Sequence, residues 1–468
     1  MRVLIDPGIM PARQMIELSR RAARDISFIT DAAGPREEFL RLDATIDIAL
    51  YPRIGDRCPH DDDIGSSLRA DPVRIWRKLI DDHQTLMIFD RTARLPLSNS
   101  LKIALIIDHA VRCQAFLQAK LPDVLVYMAT PHDIVRWIFA RVAEELGVRV
   151  QYFQETLLPW RFALMEGLSS DATLVPAQLT AASASETLLA TDYAKKKQGG
   201  FDDAFPKYES DRLKRNRGHY YNFAKDFVRS WKRPDLMLNK ALCYRAYAAL
   251  ARAPSAKEVS VTFFLHFQPE RSTLPEAYGF AQQLAAVTAL ADALPADARL
   301  YVKEHPSIFT ADCHWKERLA FWYRLVSQVR KVQLVPIEAD PYELIDRSLC
   351  VATIAGTVAG EALIRGKPVV IFGRGSVSLA RADGLHKYVD QQALRKFLAG
   401  LNTQQPQRFD LLRYFEDIAG KTYSGADGYL DFDDVQADLE QVRFSALSAA
   451  FADIMGVTRS AAEAKQAI

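Results

Sequence analysis

The stretch Val351 to Gly373, VATIAGTVAGEALIRGKPVVIFG, leaves this chain few ways to fold. Val351–Thr353 is apolar and β-branched, the composition of a strand buried on both faces. Ala355-Gly356-Thr357 follows as a small-residue turn, where the missing Cβ of Gly356 admits a close approach of backbone or ligand. Thr357 is placed to cap a helix over Val358–Ile364; Gly366-Lys367-Pro368 then ends that helix and opens a second buried strand, Val369–Phe372. Strand, tight turn, helix and strand make the β-α-β unit of a parallel sheet, which needs helices on both faces. A helix N-terminus at the carboxyl end of such a strand suits a phosphate, and Glu361, one turn in, suits a ribose diol. An ordinary β-α-β turn explains the same pattern without a ligand.

The rest of the chain repeats this alternation twice. Arg2–Ile5, Ile26–Ile29, Thr45–Leu50, Leu86–Phe89, Val124–Met128 and Val148–Phe153 are apolar runs of strand length, with helical patterns such as Leu101–Ala119 and Ile134–Leu146 between them. Pro176 to Arg252 is helical, charged and aromatic, and Ala253-Pro254-Ser255-Ala256 breaks the pattern. A second series follows. Its expected strands are Val259–Phe267, Arg299–Lys303 and Val332–Val335, and its expected helices are Tyr278–Leu294, Trp315–Gln328 and Tyr342–Asp346. Three more helical patterns, Gln391–Leu401, Leu411–Ala419 and Val435–Met455, close the chain. The expectation is an α/β protein of two Rossmann-like domains, 1–252 and 257–468, facing a cleft, with C-terminal helices able to cross back.

Length and composition fit that reading. The 468 residues suffice for two or three domains, and 49% hydrophobic with 25% charged residues is ordinary for a soluble protein. A net charge of +2 gives no footprint for nucleic acid. The five cysteines (Cys58, Cys113, Cys243, Cys313 and Cys350) lack CxxC spacing and read as reduced thiols of a cytoplasmic protein, with no zinc site. The start, MRVLIDPG, reads as a first strand rather than a signal sequence, and no apolar run is long enough to span a membrane. Basic stretches such as Lys195–Lys197 and Arg212–Arg217 read as solvated faces, and peripheral membrane attachment stays open. The second half lacks GxGxxG, which argues against NAD or FAD and leaves nucleotide-sugar chemistry open.

Several residues fall at strand ends, where an α/β sheet places its chemistry. Leu300–Pro306, LYVKEHP, delivers His305 to the tip of a strand, and Pro306 stops the strand there. An imidazole at that edge can donate to a phosphate oxygen and offset leaving-group charge without a metal. Lys303 and Glu304 are expected to face solvent or to pair locally. Phe263–Glu270, FFLHFQPE, ends another strand, bringing Gln268, Glu270 and Arg271 to the same rim, with Ser272 and Thr273 able to cap or to contact a ligand; His266 alternates inward as a core residue. In the first half, Glu155 follows a buried strand and can serve as a general base on an acceptor hydroxyl, or as a nucleophile on an anomeric carbon. Helix capping or pairing with Arg161 explains Glu155 equally well. His132 and Asp133 of Thr130-Pro131-His132-Asp133 come second, Asp133 also suiting a helix first turn, and Asp6 and Gly8 complete the rim. Asp61–Asp63 reads as a solvated acidic turn.

Taken together, FFLHFQPERST, YVKEHPS and TIAGTVAGEALIRGKPVVIFG resemble, in order and spacing over Val259–Gly373, three stretches of bacterial capsule and surface-polysaccharide glycosyltransferases. That family includes the Kdo transferases of capsule linkers, and it shares a His-Pro motif with bacterial sialyltransferases that use CMP-activated sugars. The resemblance implies a GT-B fold with the nucleotide on the C-terminal domain, His305 and Pro306 at the CMP phosphate and base, and Gly356 and Thr357 at the phosphates. The acidic-acidic-Gly motif of those sialyltransferases has no counterpart here, since Asp202-Asp203-Ala204 and Glu144-Glu145-Leu146 lack the glycine. Glu155 is therefore assigned from strand-end geometry.

The expected activity is transfer of a sugar, Kdo or a related ulosonic acid, from a CMP-activated donor to a glycan or glycolipid acceptor. No cofactor or metal is expected beyond that substrate. The expected catalytic residues are Glu155, His305 and His132, and the expected donor-binding residues are Gln268, Glu270, His305, Pro306, Gly356, Thr357 and Glu361. Two other readings fit the sequence: polyol-phosphate transfer from a CDP-activated donor, as in teichoic-acid polymerases, and a non-catalytic nucleotide-binding subunit of a polysaccharide assembly.

Overall fold

Strand order organises each half of the protein. The computed structural model describes residues 1–8, 12–22, 25–31, 33–52, 72–93, 97–158, 161–169, 172–177, 234–268, 270–310, 318–379, 384–401 and 411–424, together with 198–199, 211, 214, 220–223, 228, 382, 450–451 and 453–454. Cys58, Asp61–Asp63, Lys195–Lys197, Asp202-Asp203, Cys313, most of Arg212–Arg217 and most of Val435–Met455 lie outside the described residues. The chain divides into two compact units, Met1–Ser185 with Glu416–Ile468, and Glu186–Phe415.

In the first unit β1 (Arg2–Asp6), β2 (Asp25–Thr30), β3 (Ile48–Leu50), β4 (Val124–Tyr127) and β5 (Arg149–Glu155) form a parallel array ordered β3-β2-β1-β4-β5. Ile5 of β1 sits opposite Phe28 on one side and Val126 on the other. β4, VLVY, is buried along its whole length, as a strand covered on both faces must be. Beyond β5 the sheet turns antiparallel through β6 (Arg161–Glu166), β7 (Thr173–Val175) and β14 (Tyr423–Ser424). β14 shows the C-terminal part of the chain returning to this sheet, and Phe153, Phe162, Tyr423 and Phe451 pack in its core. Arg161 secures that return, its guanidinium donating to the carbonyls of Ala419 and Thr422, each at 2.8 Å. Leu86–Phe89 belongs to a helix, His83–Ala93, instead of the expected strand. Thr85, Ile88 and Phe89 are its buried face, a helical spacing that the apolar run conceals.

The second unit has one parallel sheet: β8 (Ser260–Phe264), β9 (Arg299–Lys303), β10 (Val332–Leu334), β11 (Cys350–Thr353), β12 (Val369–Ile371) and β13 (Leu385–Lys387). Its order is β10-β9-β8-β11-β12-β13, a doubly wound Rossmann arrangement whose direction reverses between β8 and β11. The helix Pro234–Leu250, from the stretch expected in the first domain, belongs to this unit. Tyr247 anchors it by donating to the Val335 carbonyl at 2.6 Å and accepting the Glu304 backbone N–H at 3.1 Å. Among the described residues no helix is long and apolar enough to cross a membrane.

Candidate functional site

Where strand order reverses, the connections leave on opposite sides and open a crevice beyond the strand tips. In the second unit that point lies between the tips of β8 and β11, and His266 and the Ala355-Gly356 turn occupy it. The turn's Ala355 N–H donates to His266 Nε2 at 3.1 Å, and the Thr353 hydroxyl lies 3.0 Å from the same nitrogen. A Cβ added at Gly356 would meet Thr353 Oγ1 at 3.0 Å and His266 Cε1 at 3.1 Å, so glycine lets the turn lie against the imidazole. Since Nε2 accepts, the neutral ring carries its proton on Nδ1, 3.0 Å from Ser272 Oγ. Burial above all, then His305 and Arg318, pushes the His266 pKa down to about 3. The inward placement expected for His266 is correct, but inward here means into the switch point.

His305 follows β9, whose only neighbour towards the turn is β8. Two strand intervals, roughly 10 Å, therefore separate its position from that of Gly356, with the tip of β8 between. Its Nδ1 accepts the Ser307 N–H at 3.2 Å, which leaves the proton of the neutral ring on Nε2, a donor suited to an anion. Pro306 precedes the short buried helix Ser307–Thr310 and accepts the Phe309 N–H.

Lys303 and Glu304 are buried, contrary to the solvent-facing placement expected for them. Lys303 Nζ donates to the Ile337 carbonyl at 2.5 Å, and burial pushes its pKa down to about 8. Glu304 accepts from Arg318 Nε at 2.9 Å, from the Tyr323 hydroxyl at 2.7 Å and from the His305 backbone N–H at 2.8 Å. Arg318, equally buried, also donates to Gln268 Oε1 at 2.6 Å and lies over the Trp322 ring at 4.1 Å. Gln268 completes the brace with its amide on the Ala281 carbonyl at 2.6 Å. Both ends of the Gln268 side chain are thus hydrogen-bonded within the protein, bracing the strand tips. Glu270 is exposed and accepts from Ser272 Oγ at 2.9 Å, while Arg271 pairs with Glu276 at 3.2 Å.

Thr357 does not cap the helix Val358–Ile364 as expected: its backbone is already helical (φ −60°, ψ −24°) and its side chain makes no capping bond. It stands exposed at the turn, with Glu361 partly buried one turn further in. From the other side, the loop after β12 closes on the turn. A Cβ at Gly375 would collide with the Ala355 carbonyl, and one at Gly373 would lie 2.5 Å from the Glu276 oxygen.

The first unit has its own switch point, between β1 and β4. Asp6 is buried there, accepting from Gly8 N–H at 2.9 Å, from the Tyr51 hydroxyl at 2.8 Å and from Arg136 Nε at 2.5 Å. Gly8 takes a positive φ of 55° to make this turn. Burial raises the Asp6 pKa against the opposing pull of Arg136. Arg136 also bridges Asp31 and Asp133, each at 3.0 Å. Asp133 caps the helix Ile134–Glu145 through the Arg136 N–H, its helix-turn reading. His132 Nδ1 lies 2.9 Å from the Thr130 carbonyl, which can only accept, so Nε2 carries the lone pair. Glu155 is the exposed last residue of β5, still in register with Phe162 of β6 and not on a free loop. Glu155 and His132 thus share the carboxyl edge of the first sheet, and the remaining candidates share that of the second. His266 and Arg318 were absent from the expected donor and catalytic set, whereas Ser272 was expected to cap or contact a ligand; the His-x-Gln spacing at a strand end was the one local signal for His266.

Residues 276–410 match the family described as "Capsule polysaccharide biosynthesis protein". No curated protein matches the chain. Solved structures similar to it include KpsC of Thermosulfurimonas dismutans, as the beta Kdo 2,7 transferase (13% identity over 72% of this chain and 96% of that one, TM-score 0.27) and as the beta Kdo 2,4 transferase (13% over 65% and 82%, TM-score 0.28). UDP-GlcNAc 2-epimerase from Methanocaldococcus jannaschii is a third, at 12% identity over 88% and 95% of the two chains, TM-score 0.24. The matched residues, 276–410, include His305, Gly356 and Gly375, so this part of the second unit is similar to capsule polysaccharide biosynthesis proteins.

Proposed function

We propose that the chain is a glycosyltransferase of capsular or surface-polysaccharide synthesis, moving Kdo or a related ulosonic acid from a CMP-activated donor to a glycan or glycolipid acceptor. One observation carries this reading. The segment similar to capsule polysaccharide biosynthesis proteins supplies His305, Gly356, Thr357 and Glu361 to the carboxyl edge of a doubly wound sheet, where such sheets bind nucleotides.

The donor's phosphate lies against the Gly356-Thr357 turn, with the Thr357 hydroxyl as a further contact and Glu361 towards the ribose. His305 Nε2–H meets a phosphate oxygen and offsets the charge that grows on departing CMP, with Pro306 beside the base. Fixed donors do here what a cation does elsewhere. On the acceptor side, Glu155 takes the hydroxyl proton or attacks the anomeric carbon, and His132 Nε2 offers a second base. A lipid-linked acceptor brings the protein to the inner face of the cytoplasmic membrane.

Thermal-shift measurements against CMP, UDP, GDP and ADP, repeated on His305→Ala, test the reading. CMP should stabilise the wild type most, and the His305→Ala protein much less. Stabilisation by UDP alone overturns the CMP donor, and equal CMP protection of His305→Ala removes that side chain from the site.

A further inference from the structure

We infer that His266 is a positioning residue that couples the Gly356 turn to the Glu270 carboxylate through Ser272. The ligand part of this inference rests on the donor site proposed above; the coupling itself does not.

The hydrogen bonds run in one direction. Ala355 N–H donates to His266 Nε2 at 3.1 Å, His266 Nδ1–H faces Ser272 Oγ at 3.0 Å, and Ser272 O–H donates to Glu270 Oε2 at 2.9 Å. Reversing the His266–Ser272 link would move the ring proton to Nε2, against the Ala355 amide, so the first bond sets the sense of the second, and the Glu270 carboxylate can only accept. On its Nε2 side His266 meets the buried Ala355 amide and Thr353 hydroxyl, and on its Nδ1 side the half-buried Ser272, through which the chain continues to the exposed Glu270 carboxylate.

His266 and Glu270 are also held through their backbones. Gln283 clamps the His266 peptide, accepting its N–H at 2.8 Å and donating to its carbonyl at 3.2 Å. The Glu270 carbonyl accepts from Leu274 N–H at 2.8 Å and from the Thr273 hydroxyl at 3.0 Å. With those backbone anchors in place, the Ser272 hydroxyl adds a side-chain hydrogen bond that helps orient the Glu270 carboxylate. The turn that meets the phosphate and the carboxylate beside it are thus held as one unit, without reorganisation when the donor arrives.

Two arms test this on the full chain. In the first, CMP affinity is titrated for the wild type, Ser272→Ala, Ser272→Thr, Glu270→Gln and the double variant Ser272→Ala/Glu270→Gln. A lost hydrogen bond to a carboxylate predicts roughly ten-fold weaker binding for Ser272→Ala. Threonine should restore affinity, and the double variant should bind no worse than Glu270→Gln alone. Unchanged affinity in Ser272→Ala, or losses that add in the double variant, overturns the coupling.

The second arm needs no ligand: ¹⁵N shifts of histidine-labelled protein at neutral pH. His266 should show a protonated Nδ1 and an unprotonated Nε2, and Ser272→Ala should move the Nδ1 resonance. A ring protonated on Nε2, or an Nδ1 resonance indifferent to Ser272→Ala, overturns the inference. If none of the four nucleotides binds the wild type, the donor reading fails and this second arm alone decides the coupling.

Discussion

Arg318→Met should unfold the second unit far more readily than its single lost side chain suggests. Arg318 and Glu304 are 2% and 0% exposed in their side chains and meet at 2.9 Å. Removing the arginine leaves the Glu304 carboxylate buried with only the Tyr323 hydroxyl and the His305 N–H as partners in this cluster. It also leaves Gln268 Oε1 without its donor. Breaking one side of a buried pair typically costs about 3–5 kcal/mol, because the surviving charge stays desolvated. Removing both charges together, as in Arg318→Met/Glu304→Gln, should cost clearly less than the two single losses summed, since the amide still accepts from Tyr323. Urea titration followed by tryptophan fluorescence measures this, Trp322 lying against Arg318 itself. A cost for Arg318→Met below about 1 kcal/mol, or strict additivity in the double variant, would refute the brace; a surface ion pair would behave that way.

Two further outcomes follow from the same crevice. Gly375→Ala should destabilise by about 3 kcal/mol, because its Cβ meets the Ala355 backbone, which cannot yield, whereas Gly356→Ala meets side-chain atoms at 3.0–3.3 Å and should cost about 1 kcal/mol; equal midpoint shifts in denaturation would contradict the packing. The neutral, buried His266 makes stability depend on pH in a defined sense. Its pKa is about 3 when folded, below the ordinary 6.5, so between those values the unfolded chain holds the extra proton and stability falls as pH falls. At pH 5 this component amounts to about 2 kcal/mol relative to pH 7. His266→Gln should flatten the wild-type slope by that amount, and an unchanged slope would count against a neutral imidazole.

The parallel strands were legible because burial on both faces writes an unbroken apolar run, as in Val351–Thr353 and Leu300–Val302. The helix Val358–Ile364 was legible too, bounded by small residues before and Gly366 after. What stayed hidden depends on residues distant in sequence. β14 joins β6 across more than half the chain, and no local window holds both. Lys303 and Glu304 look like surface residues until Ile337 and Arg318 arrive to satisfy them. His266 becomes part of the switch point only through Ala355, 89 residues later. Thr357 had the right chemistry for a cap, but its backbone is already helical and its hydroxyl makes no bond to the first-turn N–H groups.

The central claim is that the tips of β8, β9 and β11 in the second unit hold the donor nucleotide. Hydrogen–deuterium exchange with and without CMP, at concentrations well above its dissociation constant, tests that location directly. The account predicts slowed exchange in the peptides around His266–Thr273, His305–Ser307 and Ala355–Glu361. Slowed exchange confined to the first unit, or to peptides of the second unit away from these strand tips, would contradict it.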